Sequence, residues 1–338
     1  EASSSTAITC PSNSTGSTTT LRGRALTSPE KVSEESLKKV HDAIKAVGYR
    51  PNLLARNFRA AKSFAIVVLV PDITNPFFSQ VIQAIEDRAQ QKGYAVLLGD
   101  TRETSNREQE YVNRVETRLA DGVIQLRPQS MSASVQNIPW VNACGCEDTP
   151  GPSIRVDNTA ATKAIVDYLI SLGHKRIGVI SGLKDNPHTI DRLQGYKNSL
   201  AAAGLRFEKA LVAEGDFTLW SGQNAAKQFF QLKQMPTAIC CMNDEMALGA
   251  VQTLKARGLR VPEDVSVTGF DDIHYAKYWD PALTTMAQPA EEIGKLAMDL
   301  LLRIIEGEDL SGTELVLPTE FVIRKSTCPP PAGSSSGM

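Results

Sequence analysis

The sequence predicts an α/β protein of two consecutive halves, each a parallel sheet flanked by helices. Three observations carry this prediction. From Phe64 onward, aliphatic strand-like runs alternate with amphipathic helical stretches, the pattern that right-handed crossovers between parallel strands produce. The alternation breaks once, at the Pro/Gly-rich DTPGPSIRVDN (148–158), and then restarts. The first strand, Ala65-Ile66-Val67-Val68-Leu69-Val70, is wholly aliphatic, as a strand covered on both faces must be.

The elements follow in order. Residues 1–26 are Ser/Thr-rich without an apolar period and read as disordered. A helix follows from Ser33 as N-cap, with Glu34 and Glu35 in its first turn, Leu37, Val40, Ile44 and Val47 on one face, and Gly48 and Pro51 ending it. PNLLARNFRAAK (51–62) is a basic linker with some helical character. The first half then reads as strands at 64–70, 94–99, 122–126 and 139–143, with helices at 77–92 and 106–119. In the second half, helices at 158–172, 190–203, 219–232 and 244–257 alternate with strands at 176–181, 209–213, 236–241 and 264–269. LTTMAQP, a helix over about 290–306 and a strand pair in LVLPTEFVIRKS close the chain. The tail CPPPAGSSSGM (328–338) is too rich in Pro, Gly and Ser to pack.

Composition narrows the functional classes. Apolar residues make up 42% and charged residues 22% of the chain, ordinary for a soluble protein with a core. No apolar run is long enough to span a bilayer, and the N-terminal stretch has neither the basic start nor the apolar core of a secretory signal. The six cysteines form no CxxC pair, so reduced thiols in a cytoplasmic protein are expected, without zinc or a disulfide framework. Residues 1–62 hold 10 of the 36 basic residues and 5 of the 38 acidic ones, a net of +5, leaving 26 and 33, a net of −7, for the remainder. A basic head on an acidic body is a crude footprint of a nucleic-acid contact at one end, with a solvated surface helix as the plain alternative.

No GxGxxG follows a strand, and neither GxxxxGK[ST] nor GxSxG occurs, which disfavours dinucleotide, P-loop and α/β-hydrolase chemistry. The four histidines (41, 174, 188, 274) are scattered, and His174 reads as a helix C-terminal or loop residue. No enzyme, cofactor or metal is expected. The polar residues that stand out lie just past strand ends: Asp72, Asp100, Asn243-Asp244 and Asp271-Asp272. In an open α/β sheet those ends form the ligand-binding edge. Asp72 and Asp244 also fit a plain helix N-cap. Phe77 and Phe78 follow the first strand, either as a floor for a flat ring or as one core ring beside a half-exposed packing ring. Arg192, opening the helix of DRLQGY, offers a fork of donors to the same cleft.

These residues resemble the LacI/GalR family of bacterial transcription repressors. The matching blocks run from about residue 29 to 326: VSEESLKKVHDAIKAVGYRPNLLAR, VPDITNPFFSQVIQAIE, GYAVLLGDT, RVDNTAA, LGHKRIGVISG, DRLQGY, GDFT, PTAICCMNDEMALGA, GLRVPEDVSVTGFDD and PALTTMAQP. The resemblance implies two flavodoxin-like, periplasmic-binding-protein-like subdomains joined by three chain crossings, a homodimer, and an all-α helix-turn-helix head. Its implied boundaries are 1–62 for head and hinge, and 63–327 for the core. The core divides into about 63–158 plus 289–315 and about 159–288 plus 316–327.

By family position, Phe77, Phe78, His188, Arg192, Phe217, Asn243 and Asp271 are implied effector contacts, the effector being a nucleoside, pentose or other sugar. Tyr49, Asn52, Ala55, Arg56 and Phe58 are implied contacts to operator DNA, Phe58 near the position of the minor-groove wedge. The head departs from the family pattern. In AITCPSNSTGSTTTLRGRALTSPEKVS only RAL and TSPEKVS fit, and Arg22 and Gly23 stand where the pattern has Val and Ser. A recognition helix interrupted by Gly and without a partner helix is expected to dock poorly in a major groove. The alternative reading is a sugar- or nucleoside-binding protein without DNA-binding output.

Overall fold

A computed structural model describes residues 32–47, 62–102, 104–117, 119–127, 138–146 and 151–332. The chain divides into two compact units, 1–61 and 62–338. Of the first unit the described part is essentially α1 (Glu34–Val47). Its start is as expected. The Ser33 carbonyl accepts from the Leu37 N–H at 2.9 Å, and Glu34 and Glu35 occupy the first turn, where carboxylates offset the helix dipole. The aberrant stretch 1–26 and the positions Tyr49, Asn52, Ala55, Arg56 and Phe58 lie outside the described residues.

The second unit carries two parallel sheets. The larger is built from β1 (Ala65–Val70), β2 (Ala95–Asp100), β3 (Gly122–Gln125), β4 (Trp140–Asn142), β5 (Ser153–Val156) and β11 (Glu314–Leu317), in the order β11-β5-β4-β3-β1-β2. Helices α2 (Pro76–Gln91) and α3 (Ser105–Glu116) connect its first three strands. In the smaller sheet, β6 (Ile177–Ser181), β7 (Val212–Glu214), β8 (Ala238–Cys241) and β9 (Ser266–Thr268) run in the order β7-β6-β8-β9. It is flanked by α4 (Asn158–Ser171), α5 (Pro187–Ala202), α6 (Leu219–Phe229) and α7 (Asp244–Ala256). Every ladder within these two sheets is parallel. The aliphatic β1 is buried along its length after Ala65, as its composition required. Helix α8 (Ala290–Ile305) packs on α2 and on the larger sheet.

Several expectations need correction. Ser153–Val156, inside the presumed Pro/Gly-rich break, is strand β5, because four residues between β4 and α4 are enough to extend a parallel sheet. Thr285–Ala287 is a further strand, β10. LVLPTEFVIRKS holds two strands as expected, but they do not pair with each other. β11 pairs in parallel with β5, whereas β12 (Glu320–Val322) pairs antiparallel with β10, and Pro318 breaks the chain between them. Of the expected strand 209–213, the first three residues form a 3₁₀ turn, and β7 begins at Val212. Sheet membership thus changes after Val156, after Thr268, after Ala287 and after Leu317.

The tail also packs further than its composition suggests. Cys328 N–H donates to Ser266 Oγ at 3.0 Å, and its carbonyl accepts from the same hydroxyl at 3.0 Å. His174, expected in a loop, is buried beneath it, with Nδ1 2.9 Å from Thr237 Oγ1 and Nε2 2.9 Å from the Cys328 carbonyl. The open edge of β9 has backbone groups to satisfy, and Ser326 meets those of Val267, whose N–H donates to the Ser326 carbonyl at 2.8 Å and whose carbonyl accepts from the Ser326 hydroxyl at 2.6 Å.

Helices α6 and α7 meet backbone to backbone. A Cβ on Gly249 would lie 2.1 Å from the Leu219 carbonyl oxygen, and one on Gly222 2.2 Å from that of Met246. Alanine favours an isolated helix over glycine by about 1 kcal/mol, but here the steric term is larger. Gly249→Ala is expected to destabilise the core by about 1–3 kcal/mol, read as a lower urea midpoint at unchanged m-value.

Candidate effector site

Both halves place a helix at the carboxyl edge of their first strand by the same device. α2 opens Asn75-Pro76-Phe77-Phe78 and α5 opens Asn186-Pro187-His188. In each, the Asn side-chain oxygen caps the helix by accepting the N–H two residues on, Phe77 N at 2.9 Å and His188 N at 2.9 Å. Proline fills N1, where no N–H is needed. Phe77 and His188 therefore occupy equivalent first-turn positions in the two halves. Because α5 starts at Pro187, Arg192 lies in its second turn and does not open the helix.

The strand ends enclose a cavity of about 500 Å³. All seven expected contacts line it: Phe77, Phe78, His188, Arg192, Phe217, Asn243 and Asp271. Phe77 and Phe78 meet at 5.4 Å between ring centroids, tilted by 59°. Phe77 is buried in the core, and Phe78 is the half-buried member of the pair. Phe217 closes the opposite wall, its ring lying over Gly182, where a Cβ would come 2.1 Å from the ring. Its φ of +70° is costly for a bulky residue. Its carbonyl is held by Asn243 Nδ2 at 2.8 Å.

Asn243 is the N-cap of α7, accepting from Met246 N–H at 3.0 Å. Asp244 is not a cap, nor does it face the cavity. Fully buried, it accepts from Ile273 N–H at 2.8 Å and from Thr285 Oγ1 at 2.5 Å. Asp72 is not a cap either. It accepts from Thr74 N–H at 2.8 Å and lines the cavity from the larger sheet, together with Asp100. Asp272 turns away to pair with Arg324 at 2.6 Å.

Arg192 is buried and heavily used. Its Nε donates to Asn158 Oδ1 at 2.8 Å, its Nη1 donates to the Met242 carbonyl, and its guanidinium stacks 3.7 Å over the Phe270 ring. Asp271, at a φ of +115°, is fastened to β10 by its N–H to the Met286 carbonyl at 2.8 Å and accepts from Gln288 Nε2 at 2.7 Å. Burial pushes its carboxyl up to about 6, with Arg192 and Gln288 pulling the other way. Glu245, on α7, is pushed up to about 7 by burial and by the Asp72 and Asp271 carboxylates. Asp72 thus faces Glu245 electrostatically from the other half. Burial and the Arg192 charge hold His188 down at about 3.

Sequence reasoning missed Asn158 and Gln288. Both obey the rule that found the others, a polar residue just past a strand, but β5 and β10 had not been recognised as strands.

Two parallel α/β sheets sharing one ligand-sized cavity at their strand ends define a periplasmic-binding-protein-like clamp. The model of the periplasmic binding protein-like domain matches residues 166–327. The transcriptional repressor CytR of Escherichia coli K12 is 39% identical over 310 residues, covering 90% of this chain and 91% of that one. Catabolite control protein A of Priestia megaterium is 33% identical over 303 residues, covering 88% and 91%. The crystal structure of the Lac repressor dimer bound to operator and the anti-inducer ONPF superposes with a TM-score of 0.83 at 28% identity, covering 91% of this chain and 95% of that one. The chain belongs to the LacI family of helix-turn-helix transcriptional repressors. Its relatives favour a regulator over a binding protein without DNA-binding output.

The raised Asp271 carboxyl has a stability consequence. A carboxyl near 6 in the folded chain and near 3.8 in the unfolded one costs nothing below about pH 4, and its cost grows to about 3 kcal/mol by pH 7. Asp271→Asn is expected to match the wild type in thermal unfolding at pH 4 and to exceed it at pH 7.5. Equal melting temperatures at both pH values would contradict this.

Proposed function

We propose that this cavity is the effector site of a dimeric repressor and that the effector is a nucleoside or pentose-like molecule. In this reading the two sheets and their helices are the two hinged subdomains, and effector binding shifts the equilibrium between open and closed arrangements. The observation that carries it is the convergence of seven residues, following five different strands, on one cavity. Ring faces at Phe78 and Phe217 suit a base or sugar ring. Asp271, Arg192 and Gln288 suit hydroxyls, which both donate and accept. The volume lies within the usual range for small-molecule sites.

A thermal-shift panel of cytidine, uridine, adenosine and ribose tests this, since a ligand that binds only the folded state raises its melting temperature. At least one is expected to raise it by several degrees at a concentration about 100-fold above its Kd. Phe217→Ala and Arg192→Ala are expected to abolish the shift while far-ultraviolet dichroism stays native. No shift with any of the four, or an undiminished shift in both variants, would sink the proposal.

Operator DNA is the partner that the repressor relatives suggest. The departure of the head from the family pattern predicts weak retardation of an operator fragment in a gel at physiological salt. Strong sequence-specific retardation would show the head to be competent.

A further inference from the structure

The two ring nitrogens of His188 have different surroundings, and Arg192 determines what that means. His188 Nδ1 lies 3.2 Å from Asn158 Nδ2 and 3.2 Å from Cys146 Sγ. A guanidinium can only donate. Its Nε lies 2.8 Å from one end of the Asn158 amide, so that end is the oxygen and the end facing His188 is the NH₂. Nδ1 therefore meets a donor and must accept, and a neutral imidazole then carries its proton on Nε2.

The remaining neighbours agree. An imidazolium would set Nδ1–H against the Asn158 N–H, in a place where burial and the Arg192 charge already oppose protonation. Burial and the neighbouring Asp191 push the Cys146 thiol up, so it keeps its proton and does not demand one from Nδ1.

We infer that an Arg192–Asn158 relay holds His188 as a hydrogen-bond donor of fixed polarity, and that the effector places an acceptor against Nε2–H. A carbonyl oxygen, an ether oxygen or an unprotonated ring nitrogen would serve; an N–H would not. The inference rests on the cavity being the effector site and specifies the ligand edge that site selects. His188 and Arg192 stand four residues apart on α5, so both donors rise from one helix face. Asn158, at the chain crossing into α4, is a positioning residue that acts through both.

Nitrogen NMR of the full chain labelled with [¹⁵N-imidazole]histidine, without ligand, tests the tautomer directly. Signals of His188 are identified by their loss in His188→Gln. A single proton on Nε2 between about pH 6 and 8 is expected; a proton on Nδ1 would overturn the relay. Asn158→Asp replaces the donor facing Nδ1 with an acceptor and is expected to bring a proton onto Nδ1, and an unchanged tautomer would also overturn it.

Cytidine binding tests the ligand edge. His188→Gln carries an amide nitrogen where Nε2 was, and His188→Asn carries one where Nδ1 was. The first is expected to bind within about fivefold of wild type and the second to lose about tenfold or more; equal losses would overturn the acceptor contact. If neither cytidine nor any other nucleoside or pentose binds the wild type, the effector-site reading falls and takes the acceptor with it. The tautomer stands or falls on the NMR alone.

Discussion

A single buried cation organises the smaller half of the clamp. Moving a guanidinium out of water costs several kcal/mol unless its donors are matched. Arg192 is matched by Asn158 at the chain crossing, by the Met242 carbonyl past β8 and by the face of Phe270 past β9. Those partners belong to different strands, so satisfying one side chain sets the relative positions of several strand ends. A lysine, with a point charge and no planar fork, could not stack and bond in this way.

The cleft is where the molecule departs from its most stable arrangement. Phe217 and Asp271 both sit at positive φ, and Asp271 and Glu245 hold carboxyls in surroundings that disfavour their charge. Strain of this kind persists only where the surrounding structure over-determines it. Here the surroundings are closely packed and hydrogen-bonded. Gly222 and Gly249 let α6 and α7 touch through their backbones, and Asp244 ties α7 to Ile273 and β10. Stability given up at the cavity leaves polar groups poised for a ligand to engage.

The strand-end rule read most of this cavity from sequence, because a run of aliphatic residues followed by Asp or Asn is a local signal with one dominant structural meaning. It brought out Asp72, Asp100, Asn243 and Asp271, all of which line the cavity. It could not separate Asp271 from its neighbour Asp272, or Asn243 from Asp244. Adjacent residues in a turn point in different directions, and the direction depends on backbone angles set by β10 and by Arg324. It also passed over Asn158 and Gln288, since β5 and β10 are too short, and in the case of β5 too close to prolines and glycine, to show a period.

The sequence alone determined the alternation of strands and helices, the buried nature of the parallel sheets, the Ser33 start of α1 and the family. Each follows from near-neighbour chemistry: burial period and capping. Only the tertiary structure decided that β11 and β12 part to different sheets, that Cys328 and His174 are locked against β9, and that Asn158 turns its amide between Arg192 and His188. Those outcomes depend on which hydrogen-bonding partner a distant segment supplies, and that information is distributed over residues far apart in the chain.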